Sequence, residues 1–233
     1  MCGPTGPAHR LERVPLLQLP DPASAQVRIL TVCTGNICRS PVAERLLQAG
    51  LDQAVPGGFV VTSAGTHAMV GDPIQPPSAD IVRAFGGNAE GFAARQLTSR
   101  ILRGVDLVLT MTSGHRGEVL KLDASVLKRT FTIREFARML DVLDDRATAP
   151  GTAETPTEAT HDAGKRLAAN AEAWRGLPAR AAAVRHLSLP SDSSENDVID
   201  PYRRGLDIYR QMEDELAPAI VSILRHARLN APA

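Results

Sequence analysis

Five residues separate Cys33 from Arg39 at a predicted junction between a strand and a helix. The apolar run Val27 to Val32 precedes the cysteine and predicts a buried strand. Ser40 is a candidate helix N-cap, and Pro41 suits the first position of a helix. Backbone N–H groups in a tight loop at such a junction can surround an anion, and the helix contributes the positive end of its dipole. The spacing therefore predicts an anion-binding loop.

The two reactive side chains at the ends of this loop have complementary chemistry. The guanidinium of Arg39 can bind a phosphate-like oxyanion through two hydrogen bonds. The same positive field favours the thiolate of Cys33, which is the nucleophilic form of a cysteine. Gly35 permits a backbone bend that a Cβ atom would resist. Alone, each residue is typical of a buried small side chain or a solvated surface group, but the combination indicates nucleophilic attack on a bound oxyanion.

Composition excludes several classes of function. The chain has 233 residues, with 26 basic and 26 acidic side chains, and aromatic residues make up 3%. A zero net charge gives no indication of nucleic acid or an anionic membrane, and few aromatics disfavour a stacking platform for single strands. Three cysteines are too few for a disulfide scaffold and indicate a reducing compartment. Without a long apolar span or signal peptide, we expect a cytoplasmic protein with no membrane insertion.

No cofactor is expected from the sequence. The six histidines are scattered, so no cluster has the spacing of metal ligands. A nucleotide-binding loop of the Gly-Lys-Ser/Thr kind is also absent from the sequence.

Strands alternate with helices along most of the chain, a pattern typical of a parallel sheet covered on both faces. The predicted strands are 27–32, 59–62, 107–111 and 130–132, and the predicted helices are 41–53, 78–85 (with Ser78 as its cap), 98–102, 113–121, 133–143 and 204–227. The last helix has an apolar stripe of Leu206, Tyr209, Met212, Leu216, Ile220 and Ile223, which we expect to pack on the sheet. Ligands bind beyond the carboxyl ends of such strands, where Cys33 is placed.

Two regions depart from this alternation. Residues 1–25 contain several prolines and no clear period, which predicts a flexible leader. Residues 144–196 form a predicted insertion that interrupts a domain spanning 26–228. Within it, 161–186 predicts two short helices broken at Gly176-Leu177-Pro178. We expect this insertion to be a solvated, partly helical appendage that the chemistry does not need.

The loop sequence Val-Cys-Thr-Gly-Asn-Ile-Cys-Arg-Ser-Pro resembles the signature of the low-molecular-weight protein tyrosine phosphatases of the bacterial type. Further matches follow in the family's order at Ser63-Ala64-Gly65-Thr66, at 94–98 and at Asp200-Pro201-Tyr202. The resemblance covers residues 26–143 and 197–227. It implies a three-layer α/β sandwich with a flavodoxin-like, four-stranded parallel sheet. It also implies hydrolysis of phosphate monoesters, with protein phosphotyrosine as the expected substrate, through a phosphocysteine intermediate.

The resemblance assigns a role to each matching residue. Cys33 is the expected nucleophile, Arg39 the expected phosphate ligand, and Asp200 the expected general acid that later acts as a base. The residues expected to bind phosphate or line the substrate mouth are Thr34, Gly35, Asn36, Ile37, Cys38, Arg39, Ser40 and Tyr202. Ser40 can also donate a hydrogen bond to the sulfur of the nucleophile. By the same resemblance, Asn36 and Ser63 hold the loop in shape.

Cys38 has two interpretations. The resemblance supports a reversible disulfide with Cys33 that protects the nucleophile from over-oxidation. The alternative is a buried small side chain that fills the first turn of the helix.

Two departures from the family pattern bear on the substrate. Phe92 occupies a position where many members carry a supporting histidine. The loop from His67 to Gly71 has no aromatic ring, whereas eukaryotic members place a Trp or Tyr there. This loop is similar to that of bacterial members that act on tyrosine kinases controlling surface polysaccharide. A bacterial tyrosine kinase is therefore an expected partner, and phosphate and vanadate are expected inhibitors.

Two other functions stay open from the sequence. An arsenate reductase on the same fold would use the same thiolate, and it needs a thiol to resolve the adduct, from a cysteine pair further along the chain or from a small thiol. No cysteine follows Cys38, which disfavours the intramolecular route. A weakly catalytic phosphate-binding module that serves as an interaction protein is the other alternative. The presence of Cys33, Arg39 and Asp200 together argues against it.

Overall fold

The computed structural model describes residues 25–148 and 163–231 of the chain. Its strands are β1 (Val27–Cys33), β2 (Phe59–Gly65), β3 (Leu107–Thr110) and β4 (Thr130–Thr132). Its α-helices are α1 (Arg39–Ala54), α2 (Pro76–Ala84), α3 (Ser99–Arg103), α4 (Ser113–Leu122), α5 (Ile133–Ala147), α6 (Ala163–Ala183) and α7 (Leu206–Leu229). The predicted leader lies outside the described residues except for residue 25.

The four strands form one parallel sheet in the order β2-β1-β3-β4. Alternate residues of β1 point to opposite faces of the sheet. Ile29 belongs to the apolar core that contains side chains of α1, α5 and α7. Leu30 and Val32 belong to a second core with residues around α3 and α4. The predicted three-layer α/β sandwich with a four-stranded parallel sheet is therefore confirmed.

Two predicted helix caps are wrong. Helix α1 begins at Arg39, and its N-cap is Cys38, so Ser40 lies inside the first turn. The Ser40 hydroxyl is engaged by tertiary partners instead of the helix backbone. Helix α2 begins at Pro76, so Ser78 also lies within a helix. Prolines fit the first turns of both helices because N–H groups there lack helical partners.

The apolar stripe of α7 packs as predicted except at its first member. Tyr209, Met212, Leu216, Ile220 and Ile223 are buried. Leu206 is 62% exposed because the first residue of the helix extends past the core. Among the described residues, no helix is both long and apolar enough to cross a bilayer.

The region predicted to be a solvated appendage contributes to the core. Helix α6 runs without a break from Ala163 to Ala183, although Pro178 lies inside it. Trp174, Leu177 and Ala181 are buried on one side of the helix. An interior proline costs about 3 kcal/mol, and burial of these apolar groups offsets that cost. The prediction of two short helices and a solvated appendage is therefore wrong, and residue 144 itself lies within α5.

Helix α6 packs at the amino-terminal edge of the sheet. The ring of Trp174 meets that of Phe59, the first residue of β2, edge-on at 4.8 Å. Arg175 pairs with Asp106 before β3 at 3.1 Å and donates to the carbonyl of Gln26 before β1. Cys33 ends β1 at the opposite edge, about 20 Å away at the rise of a seven-residue strand. The helix therefore supports the sheet far from the reactive cysteine.

Residues 185–197 then run along α5 toward the carboxyl-terminal ends of the strands. Arg185 pairs with Glu135 at 2.9 Å, and Arg138 donates to the carbonyl of Ser188 at 3.2 Å. Arg134 donates to the carbonyl of Asp197 at 2.9 Å. These contacts fasten the segment that leads to Asp200.

We predict that Trp174→Ala lowers the free energy of unfolding by about 3–5 kcal/mol, because it removes a large side chain from the core. Leu189→Ala, at a position 69% exposed in the same insertion, should change it by less than about 0.5 kcal/mol. Urea denaturation measures both values. Turnover per folded molecule should be unchanged by Trp174→Ala. Equal stabilities of the two variants, or a loss of turnover in folded Trp174→Ala, would contradict the arrangement.

Candidate active site

The loop that follows β1 places Cys33 and Arg39 at one end of the sheet. Cys33 is the last residue of β1 and is 2% exposed, and Arg39 opens α1. The backbone turns between them at Asn36, which has a φ of 57°. Asparagine tolerates this left-handed conformation better than most residues with a side chain. The bend that the sequence predicted at Gly35 is therefore made by its neighbour.

The side-chain amide of Asn36 has a fixed orientation. Its Oδ1 accepts a hydrogen bond from the backbone N–H of Arg95 at 2.8 Å. Its Nδ2 donates to Ser40 Oγ at 2.9 Å and to Ser63 Oγ at 2.8 Å. Phe92, which stands at the position of the family's supporting histidine, makes a different contact. The guanidinium carbon of Arg45 lies 5.6 Å from the centroid of its ring. The amide is thus oriented by backbone and serines without the histidine that many family members carry.

This orientation leaves the hydroxyl protons of Ser40 and Ser63 available to other groups. Each hydroxyl accepts a hydrogen bond from Asn36 Nδ2, so its own proton can be donated elsewhere. Ser63 lies 2.5 Å from Glu44 Oε2, and a carboxylate can only accept. Ser40 Oγ lies 3.0 Å from Cys33 Sγ, so its proton can be donated to the sulfur. The backbone N–H of Asn36 donates to this sulfur at 3.3 Å.

Arg39 is buried with its guanidinium facing the loop. It is 4% exposed, and one terminal nitrogen lies 2.7 Å from Asp200 Oδ2. The other terminal nitrogen donates to the carbonyl of Val198 at 3.2 Å. Its Nε is buried and has no hydrogen-bond partner among the described residues. That N–H group can donate to an oxyanion in the loop.

Asp200 sits on a well-anchored segment. The backbone N–H of Val198 donates to the carbonyl of Met111 at 2.8 Å, and that of Ile199 donates to Glu215 at 2.7 Å. Asp200 Oδ1 accepts from the backbone N–H of Tyr202 at 3.1 Å. These bonds hold the carboxylate at the mouth of the loop, with its side chain 46% exposed.

Asp197 has a different position from Asp200. Its Oδ1 accepts from the backbone N–H of Ser113 at 2.7 Å and from the Ser113 hydroxyl at 3.0 Å. It therefore fixes the start of α4, whereas Asp200 shares a cavity with Cys33.

A cavity of about 190 Å³ unites the predicted residues. The residues that line it are Cys33, Thr34, Gly35, Ile37, Cys38, Arg39, His67, Met69, Asp200 and Tyr202. Asn36 and Ser40 lie behind the loop and are buried. Ile37, Met69 and Tyr202 give the cavity apolar walls above a polar floor. Within the described chain, no group of three or more His, Cys, Asp or Glu side chains could hold a metal ion.

Cys38 is a buried thiol in the same loop as Cys33. Its Sγ lies 3.8 Å from the hydroxyl of Tyr209, and both Cys33 and Cys38 are free. Burial raises the pKa of Cys38 to about 11. Cys38 is therefore protonated near neutral pH, which makes it a poor nucleophile in the closed loop.

Sequence reasoning missed four residues around the loop, one of which is His67, a residue that lines the cavity. Met69 lines the cavity, and Glu44 anchors Ser63. His115 lies buried, with Nε2 2.8 Å from Thr34 Oγ1. Burial lowers the pKa of His115 to about 4, and the positive charge of Arg39 adds to this effect. The Thr-x-x-His spacing after β3, in which Thr112 caps α4, was the available signal.

Comparison with known proteins identifies relatives of this chain. Residues 28–150 match the family described as low molecular weight phosphotyrosine protein phosphatase. The chain is 39% identical over 116 residues to the low molecular weight protein-tyrosine-phosphatase Etp of Escherichia coli, covering 50% of this chain and 75% of Etp.

Solved structures share the fold. The crystal structure of the Erwinia amylovora tyrosine phosphatase AmsI aligns with a TM-score of 0.54 and 23% identity, over 88% of this chain and 93% of that one. The YwlE arginine phosphatase from Geobacillus stearothermophilus aligns with a TM-score of 0.55 and 24% identity, over 85% and 91% of the two chains.

We predict that the neutral state of His115 makes stability depend on pH. Between its ordinary value of 6.5 and a folded pKa of about 4, the unfolded chain binds a proton that the folded chain does not. Stability is therefore lost as the pH falls through this window. Relative to His115→Gln, the wild-type protein should lose about 2–3 kcal/mol between pH 7.5 and 4.5.

Urea denaturation at the two pH values measures this difference, and the carboxylates common to both proteins cancel. The exposed His186 provides the control, since His186→Gln should keep the wild-type dependence on pH. A wild-type slope equal to that of His115→Gln would mean that His115 is charged in the folded protein at acid pH.

Proposed function

The chain belongs to the low-molecular-weight phosphotyrosine protein phosphatase family, and from this membership we propose that it hydrolyses phosphotyrosine on proteins. The observation that carries the proposal is one cavity lined by the Cys33 sulfur, the Arg39 guanidinium and the Asp200 carboxylate. This arrangement combines a nucleophile, an oxyanion ligand and a proton donor.

In the first step, the thiolate of Cys33 attacks phosphorus. An S–P bond forms, the P–O bond to the tyrosine breaks, and Asp200 gives its proton to the leaving phenolate oxygen. Arg39 and the backbone N–H groups of residues 34–39 stabilise the equatorial oxygens of the transition state.

In the second step, water attacks the phosphocysteine. Asp200, now a carboxylate, takes a proton from the water, the S–P bond breaks, and inorganic phosphate leaves. Ser40 lies 3.0 Å from the sulfur and donates to the departing thiolate. Because Ser40 Oγ accepts from Asn36 Nδ2, its own proton is available for this bond.

The ion pair of Arg39 and Asp200 changes partners when substrate binds. The phosphate dianion competes for the guanidinium that otherwise contacts Asp200 at 2.7 Å. Once phosphate takes the guanidinium, the carboxyl group is free to hold the proton that the leaving group needs.

The walls of the cavity support an aryl substrate. Ile37, Met69 and Tyr202 line it above the loop, and flat apolar contacts favour the long phenyl arm of phosphotyrosine over phosphoserine. We infer that Met69 takes the place of the aromatic residue in this part of eukaryotic members. Phosphate and vanadate should occupy the loop as inhibitors.

The partner that we propose is a bacterial tyrosine kinase, by analogy with family members that act on such kinases.

The cytoplasm is the proposed compartment, because reducing conditions keep Cys33 and Cys38 as free thiols. We also propose that, after a peroxide oxidises Cys33 to a sulfenic acid, the thiol of Cys38 attacks that sulfur and displaces water to form a protective disulfide. Burial raises the pKa of Cys38 and keeps its thiol protonated, so this step needs the loop to open.

Residues 144–196 remain a proposed insertion within one catalytic domain.

We predict that Cys33→Ser reduces turnover of a phosphotyrosine peptide below a few per cent of the wild-type value, a loss of more than roughly 2 kcal/mol of barrier lowering. Binding of inorganic phosphate, measured by calorimetry, should survive because Arg39 and the loop amides remain. Cys2→Ser, which changes a cysteine outside the loop, is the matched control.

Phosphoarginine and arsenate with added thiol are tested beside the peptide. Substantial turnover by Cys33→Ser would rule out the phosphocysteine mechanism. Faster wild-type turnover of phosphoarginine or arsenate than of the peptide would reassign the substrate.

We predict that Asp200→Asn lowers turnover of phenyl phosphate on the order of 10²–10⁴-fold, because the phenolate leaving group needs a proton. The loss should shrink with p-nitrophenyl phosphate, whose leaving group is a weaker base. Asparagine at this position can still accept the hydrogen bond from Tyr202, so the loop should keep its shape.

Asp197→Asn is the control for general effects on the segment. Its effect should be similar for both leaving groups, because Asp197 contacts Ser113 and not the cavity. A loss that is the same for both leaving groups in Asp200→Asn would show that Asp200 only shapes the loop.

A further inference from the structure

A buried histidine connects the second half of the sheet to the wall of the cavity. His115 is 8% exposed and lies in the first turn of α4. Its Nε2 lies 2.8 Å from Thr34 Oγ1, and its Nδ1 lies 2.8 Å from Thr112 Oγ1. Thr34 follows the nucleophile and lines the cavity. The imidazole thus joins the cap of a helix to the phosphate loop.

Hydrogen-bond counting assigns the proton on this ring. Thr112 Oγ1 already accepts the backbone N–H of His115 at 3.1 Å, and the imidazole is its other hydrogen-bond partner in the described chain. If Thr112 donates to Nδ1, its hydroxyl proton is used, and Nε2 of a neutral ring carries the remaining proton. The opposite tautomer would leave the Thr112 proton without a protein acceptor, and the Nε2–H tautomer leaves that of Thr34 without one. An oxyanion in the cavity that Thr34 lines breaks this tie, because it can accept the Thr34 proton. With an anion bound, the counting therefore favours Nε2–H as the donor to Thr34.

The direction of this bond affects the cavity. When Thr34 Oγ1 accepts from His115, its own proton is not used in any other protein contact of the described chain. The hydroxyl proton can then rotate toward an oxygen of a bound anion. A hydroxyl that instead donated to the ring would present only lone pairs, which repel a phosphate oxygen.

We propose that His115 is a positioning residue that makes the Thr34 hydroxyl a hydrogen-bond donor to the oxyanion held in the loop. The proposal rests on the proposed function for its substrate, a phosphate monoester, but inorganic phosphate itself probes the geometry. His115 does not touch the reacting atoms, and its effect passes through Thr34. The loop thereby gains a side-chain donor in addition to its backbone N–H groups and Arg39.

Substitutions separate this role from general support of the fold. Thr34→Val removes the hydroxyl with little change in shape. His115→Gln keeps a donor near the position of Nε2, whereas His115→Asn keeps only a group near Nδ1. One neutral hydrogen bond corresponds to about three- to tenfold in affinity. His115→Asn and Thr34→Val should each weaken phosphate binding by that factor, the double variant should be no weaker, and His115→Gln should stay within about twofold of wild type.

The experiment combines calorimetry with inorganic phosphate and nitrogen-15 NMR of the histidine side chains in the full chain. His186→Asn, at an exposed histidine, is the matched control and should bind phosphate as wild type does. With saturating inorganic phosphate, the wild-type spectrum should show the Nε2–H tautomer for His115. This measurement decides the proposal even if a variant does not fold.

Turnover of a phosphotyrosine peptide by the wild-type protein is scored separately, because its absence counts against the proposed function alone. With saturating inorganic phosphate, the Nδ1–H tautomer would overturn the positioning role of His115. So would additive losses in the double variant, or equal weakening by His115→Gln and His115→Asn.

Discussion

The fixed carboxamide of Asn36 is the constraint on which the loop depends. One residue in a left-handed conformation turns the backbone, and the same residue supplies both N–H groups that orient Ser40 and Ser63. Because the backbone N–H of Arg95 holds the amide oxygen, the amide cannot flip without losing three hydrogen bonds. The amide of Asn36 therefore leaves the Ser40 proton available to the sulfur of Cys33, although Asn36 itself lies behind the loop. Buried polar networks of this kind are stable only when each member is satisfied.

Local patterns explain how much of this arrangement could be predicted from the sequence. The strand before Cys33 and the following helix depend on short-range periodicity and turn chemistry, so both were found within a few residues. The capping role given to Ser40 was wrong because its hydroxyl is used by Cys33 and Asn36 across the loop. The Thr-x-x-His spacing marks His115, but its contact with the loop could not be predicted, because Thr34 lies 81 residues away in the chain. Residue types indicate which chemistry is possible. The hydrogen-bond partners of each hydroxyl depend on tertiary packing, which the sequence does not show.

The burial of α6 does not follow from its sequence pattern. The sequence of α6 is rich in alanine and charged residues, and it contains Gly176 and Pro178, so its pattern indicates little burial. The indole ring of Trp174 is nevertheless buried, because it packs edge-on against the rings of Phe59 and His226 at the amino edge of the sheet. The opposite edge carries the cavity. Stability and chemistry are thus assigned to opposite ends of the same four strands.

The pair of Arg39 and Asp200 links the stability of the loop to its function. A guanidinium with 4% exposure would be costly without a counter-charge, because a buried unpaired charge is strongly destabilising. Asp200 supplies that charge at 2.7 Å, yet its own side chain is 46% exposed. A partly solvated carboxylate is easier to displace than a buried one, since water can receive it at little cost. The loop can therefore keep its shape around a paired arginine while that arginine stays available to an anion in the cavity. In the proposed mechanism, this exchange would leave the carboxyl group of Asp200 beside the leaving oxygen, where a proton is needed.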